Sequence, residues 1–91
     1  MSRTLHQWIR HKRRKRAEFR AWNRFFGLYY YVMDELERLD GSAEPEKVLC
    51  ILFRADFSCY RATGKPLLGG GLRWRKGKRV PVPYFDGRDI R

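Results

Sequence analysis

The sequence predicts a mainly α, small α+β fold: an antiparallel helical hairpin with a long basic and aromatic first helix, followed by a short C-terminal β-hairpin or extended basic arm. Three observations predict it. Apolar residues recur at steps of three and four from Phe19 to Leu36, Asp40-Gly41-Ser42 places a stop and a start signal between two apolar stretches, and glycines and prolines break the last third into short pieces. With 91 residues the chain has room for one domain and a modest core. That domain, 1–91, divides into a basic N-terminal arm or helix over 1–16, a helical hairpin over 17–63, and a basic hairpin and tail over 64–91.

The first helix opens at Thr4, where an N-cap threonine with Gln7 three residues on reads as a capping box. Leu5, Trp8 and Ile9 then form a small apolar patch, expected to be a helical turn packing on the body. Arg10, His11, Lys12, Arg13, Arg14, Lys15 and Arg16 follow, six of the seven cationic at neutral pH. Consecutive helical residues lie about 100° apart, so seven of them sample every side and no orientation hides the charge against a core. Like-charged neighbours such as Arg10 with Arg14 and Lys12 with Arg16 each oppose helix formation by about 0.2–0.5 kcal/mol, so this block is expected to order on binding an anion. After Glu18 comes an apolar face of Phe19, Trp22, Phe26, Tyr29, Met33 and Leu36, widened by Phe25, Val32 and Leu39. Arg16, Arg20 and Arg24 prolong the basic rail on another side. Gly27 is a weak point, a candidate for a kink or a close helix contact. Gly41 suits a left-handed C-terminal cap.

A second helix is expected over Ala43 to Thr63, capped by Ser42, with Pro45 in its first turn and Arg61, Gly64 and Pro66 as stop signals. Val48, Leu49, Leu52, Phe53, Phe57 and Tyr60 fit that helix. Phe53, Ala55, Phe57 and Cys59 also alternate with polar residues as a strand would, and the caps decide for the helix. Lys65 to Gly71 is a joint anchored by Leu67 and Leu68. Leu72 to Arg75 and Lys78 to Val82 then suggest a hairpin turning at Lys76-Gly77, with Pro81 and Pro83 restricting it to an edge. Tyr84 and Phe85 pin the tail, and Asp86-Gly87 makes a turn.

Charge points to the partner. Twenty-one Lys and Arg against ten Asp and Glu leave +11: residues 1–33 carry +8, 34–56 carry −4 and 57–91 carry +7. Such a balance draws a protein to phosphate polymers or anionic surfaces. The longest apolar run, Phe25 to Met33, is far short of the roughly 20 residues that span a bilayer, and no secretory signal opens the chain, so an intracellular, soluble, cytoplasmic protein with no membrane partner is expected. Cys50 and Cys59, without a CxxC and with only His6 and His11 in addition, make no zinc framework and are expected as buried, reduced thiols.

The run Arg13-Arg14-Lys15-Arg16-Ala17-Glu18 with Trp22 resembles the arginine-rich RNA-binding helix at the start of lambdoid phage N antiterminators. The likeness covers about a dozen residues and implies a mechanism: an arginine-rich helix grips RNA while a tryptophan stacks on a loop. The rest of this chain, aromatic-rich and patterned, departs from that largely disordered family. Trp22 also fits a core position.

Catalysis finds little support. Asp34, Glu35, Glu37 and Asp40 read as a solvated helix end rather than a metal nuclease site, Ser58 and Cys59 lack a base, and Gly64-Lys65 lacks the spacing of a phosphate loop. No cofactor or metal is expected, and the chain is read as a non-enzyme. The expected function is that of a small basic nucleic-acid-binding accessory protein, for RNA or DNA. Its grip would comprise Arg10, Lys12, Arg13, Arg14, Lys15, Arg16, Arg20 and Arg24, with Arg73, Trp74, Arg75, Lys76, Lys78 and Arg79 as a second contact. Trp74 would stack a base there or cover a small core. The alternative is a protein-interaction module that inhibits or modulates a host nuclease, polymerase or ribosome, a size and economy that suit a phage or mobile-element regulator. The aromatic stripe could also pack on a copy of the chain as a homodimer.

Overall fold

The structure, a computed structural model, describes residues 4–88; the two ends of the 1–91 domain lie outside the described residues. Two helices, α1 (Leu5–Asp40) and α2 (Pro45–Thr63), precede an antiparallel hairpin of β1 (Leu72–Lys76) and β2 (Pro81–Phe85). The helical hairpin with a C-terminal β-hairpin is therefore the fold.

Helix α1 runs 36 residues without a break. The capping box is present at its start: the Gln7 N–H donates to Thr4 Oγ1 at 3.2 Å and the Thr4 N–H to Gln7 Oε1 at 3.1 Å. Gly41 caps the other end at φ 79°, donating its N–H to the Glu37 carbonyl. The charge block is helical and continuous with the rest of α1. Its turns extend a helix already nucleated by the packed residues that follow, so each needs only propagation, which is far easier than starting a helix. Leu5, Trp8 and Ile9 do not pack on the body; they are exposed on that same extension. Gly27 makes no close contact, since a Cβ there would meet open space.

The buried side of α1 is turned from the expected stripe. Ala21, Phe25 and Leu36 are buried, with Leu28, Tyr29, Val32 and Met33 against them, whereas Phe19, Phe26 and Leu39 are exposed. Aromatic residues occupy two adjacent flanks, so spacing alone identified a broad apolar arc but not its centre.

A four-residue turn leads to α2. Glu44, not Ser42, is its N-cap and makes no side-chain cap bond; Pro45 begins the helix with the fixed φ that a first turn accepts. Val48 and Leu52 are fully buried against α1, and Gly64 closes the helix at φ 77°. The joint then folds back over the core through Leu68, 1 % exposed, while Leu67 is half-buried. Gly71, at φ 96°, comes so close to the end of β2 that a Cβ would lie 2.8 Å from Phe85 Cε2.

The β-hairpin turns later than expected. Leu72 pairs with Phe85, Trp74 with Pro83 and Lys76 with Pro81, leaving 77–80 as the loop in place of a Lys76-Gly77 turn. Both prolines enter β2 because a two-stranded sheet has only edges, and every second residue points its N–H away from the partner. Cys50 and Cys59 are free and half-buried on α2 rather than fully enclosed.

Candidate nucleic-acid interface

The expected site residues fall into two clusters. The first is the arm, residues 5–16 of α1, all of them exposed and projecting about 18 Å beyond the first packed turn. Its projection gives the molecule extents of 53 × 27 × 24 Å. Among the described residues no acid pairs with Arg10, Lys12, Arg13, Arg14, Lys15 or Arg16. The reason is compositional: Glu18 is the one acid between residues 1 and 33, and the other acids sit toward the far end of α1 or on later elements. Lys12 lies over the Trp8 ring at 5.3 Å, a cation–π contact that fixes its stem and leaves its charge.

Arg20 and Arg24 continue the rail where α1 meets the body. With Ala17, Ala21, Leu68 and Gly70 they line an open notch of about 420 Å³ between the helix and the glycine joint. Arg73 also belongs to this end. It approaches the buried Asp86 at 3.6 Å, and Arg88 grips the same carboxylate at 2.7 Å and donates its backbone N–H to it, which holds Asp86 down at a pKa of about 2. The next residue, Gly87, is buried under Arg14: a Cβ there would lie 2.6 Å from Arg14 Nε. The tail thus crosses the base of the arm, a juxtaposition that the sequence reading did not contain.

The second cluster is the hairpin loop, at the opposite end of the body. Arg79 lies 3.8 Å from Glu46 in the first turn of α2, and α2 begins where α1 stops. Arg75, Lys76, Lys78 and Arg79 rim an open hollow of about 410 Å³ floored by Phe53 and Trp74. Arg75 also stands 6.0 Å from the Tyr84 ring. The structure therefore separates the cations of Arg75 to Arg79 from the arm instead of joining them in one surface.

Trp74 is built into the core. Its ring meets Phe53 edge-on at 5.4 Å and Phe25 at 6.4 Å, and its indole N–H donates to Asp56 Oδ2 at 2.9 Å. Asp56 is the residue the sequence reading passed over. Buried at 7 % exposure on α2, it accepts the Leu68 N–H on Oδ1 at 2.9 Å and so ties helix, joint and strand together. Its signal was its spacing, for Val48, Leu52 and Asp56 are four apart and share the buried face. Trp22 is half-buried and contacts Phe25 and Phe26.

No protein-family model, curated protein or solved structure matches the chain. The functional reading therefore rests on the site itself.

Among the described residues no cluster of His, Cys, Asp and Glu is placed to hold a metal ion, and no helix is long and apolar enough to cross a membrane. Asp40, one of the acids at the end of α1, holds Lys47 at 2.8 Å, and Glu35 pairs with Arg38. What the arm offers is a rod of positive charge on all its sides, with no acid against it among the described residues. A rod of helix with side chains is about 10–12 Å across.

Proposed function

We propose that the protein binds nucleic acid through its projecting N-terminal arm, as an accessory or regulatory protein rather than an enzyme. One observation carries this reading: the six cations from Arg10 to Arg16 stand in solvent with no acid of the described chain against them. Charge on every side suits an environment with phosphates on more than one wall, as a nucleic-acid groove provides, better than a flat surface. Arg20 and Arg24 extend the contact toward the body. Phosphate contacts position the protein without specifying sequence, so the reading covers RNA and DNA alike.

The test is a salt titration of binding to duplex DNA, duplex RNA and single strands, comparing the parent with the Arg13→Gln, Arg14→Gln, Arg16→Gln variant. Three lost phosphate contacts should lower the log–log salt slope by about 2–3. Thermal stability should stay unchanged, because Arg13 and Arg16 are exposed and Arg14 keeps the part of its stem that lies on Gly87. Parent-like binding by the variant would remove the basis of the proposal.

A second reading is favoured by the large aromatic side chains left in solvent, Phe57 and Tyr60 on α2 among them. A module that docks on a nuclease, polymerase or ribosome would use such a surface, with the arm lying along the enzyme's nucleic-acid path. Recovery of one such enzyme in a pull-down after nuclease treatment supports it, and binding that disappears with nuclease treatment counts against it.

A further inference from the structure

The flank of α1 beside its buried side leaves Phe19, Phe26 and Tyr30 in solvent, while Trp22 and Met33 on the same arc are half-buried against the core. Phe19 is 67 %, Phe26 47 % and Tyr30 54 % exposed, and Phe26 stacks on Tyr30 at 6.3 Å to form a continuous aromatic strip. Contiguous exposed apolar surface of this kind marks an interface.

The strip extends into charge at both ends, with opposite sign. Taken from Lys12, the positions on this flank are 12, 15, 19, 22, 26, 30, 33, 37 and 40, steps of three and four that stay within an arc of roughly 80° and average about 3.5 residues, the heptad spacing of a coiled-coil seam. Cations occupy its first two positions, acids its last two, and Phe26 its centre. The steps read the same in either direction from Phe26.

We infer that this flank pairs with the same flank of a second copy, the two α1 helices antiparallel about a two-fold axis at Phe26. That register sets Lys15 opposite Glu37 at each end of the seam, with Lys12 beyond it facing Asp40, which Lys47 of its own chain already holds at 2.8 Å. Between them Phe19 meets Met33, Trp22 meets Tyr30, and Phe26 meets itself, as an isologous interface requires. Both other choices conflict with charge. A parallel pair would oppose Lys15 to Lys15 and Glu37 to Glu37. Sliding the antiparallel pair by one heptad would set Asp40 against Phe19, or Lys15 against Tyr30. Lys15 and Glu37 have no ion pair among the described residues, so the dimer supplies their first. Arg13, Arg20 and Arg24 lie on a different flank and stay open.

Sedimentation of the full chain without nucleic acid tests this, so it stands or falls apart from the proposed function. A concentration-dependent dimer is expected for the parent. Phe26→Lys places two ammonium groups on the axis and should leave a monomer of unchanged helicity, since Phe26 is exposed. Lys15→Glu and Glu37→Lys, each alone, should weaken dimerisation roughly tenfold by turning both terminal pairs repulsive. An equimolar mixture of these two chains restores opposite charges at both ends and should dimerise as the parent does. A parent that stays monomeric at several hundred micromolar overturns the inference, as does a Phe26→Lys dimer of parental strength. A mixture that fails to recover, or that binds far more tightly than the parent as parallel helices would, overturns the register.

Discussion

Helix α1 is two structures in one. From Ala17 onward it is held by what it buries: Ala21, Phe25 and Leu36 pack against α2, the joint and Trp74. From Leu5 to Arg16 all its residues are exposed, and apart from Arg14 over Gly87 it is held by one capping box and by continuity with the turns that follow. The same secondary structure thus has a tertiary cause in one half and a local cause in the other. Removing packing should unfold the body, whereas removing the cap should fray the arm and leave the body intact.

The largest expected effect is on the packed half. Asp56 satisfies two donors, the buried Leu68 N–H and the part-buried Trp74 indole N–H. Asp56→Ala leaves both without a partner and opens a small void, and each orphaned buried donor costs about 1–3 kcal/mol. A loss of roughly 2–5 kcal/mol in urea denaturation is expected, a large share of the stability of so small a domain. Asp56→Asn keeps one acceptor oxygen and should lose less. Equal stability of Asp56→Ala and parent would show that the joint is held by Leu68 alone.

A smaller and strictly local effect is expected at the other end. Thr4→Ala removes the acceptor for the Gln7 N–H, a change worth about 1 kcal/mol at a helix start. Because residues 5–12 are all exposed, this should appear as loss of far-UV helical signal and faster amide exchange over 5–12, with the urea midpoint unmoved. Added salt should restore part of the lost signal by screening Arg10 against Arg14 and Lys12 against Arg16. A shifted midpoint would mean that arm and body are one cooperative unit.

This division also explains what the sequence disclosed. The capping box at Thr4, the glycine caps at Gly41 and Gly64, and the bare charge of the arm depend on neighbours within four residues, and each could be read directly. For Asp56 only the buried face could be read, from its spacing with Val48 and Leu52; its partners Leu68 and Trp74 lie 12 and 18 residues away and only the folded chain brings them to it. The centre of the α1 face was ambiguous for a related reason: Phe19 and Phe26 are as apolar as Phe25, and only the position of α2 decides which is buried. The prolines were rightly read as restricting the hairpin to an edge, but the second strand begins at Pro81 and not at Lys78, because both prolines occupy positions that need no N–H and the loop falls at 77–80. The contact of the tail with the arm was not legible at all, since nothing near Gly87 announces Arg14.

The smallest expected effect lies where the two halves meet. Asp86, buried at the base of the arm and gripped chiefly by Arg88 with Arg73 nearby, titrates at about 2 instead of in the ordinary carboxylate range near 4. A carboxyl whose folded pKa is depressed contributes stability that is complete above its unfolded value and vanishes as pH falls through the folded one. The stability difference between parent and Asp86→Asn should therefore be constant above pH 4 and shrink between pH 4 and 2. Other carboxylates titrate over the same interval, so the difference between the two proteins, not the parent's curve, isolates the term. A difference that stays flat down to pH 2 would mean that the Arg88 contact does not hold in solution, and that the tail reaches Arg14 through the Gly71 carbonyl, which accepts the Asp86 N–H at 2.8 Å, alone.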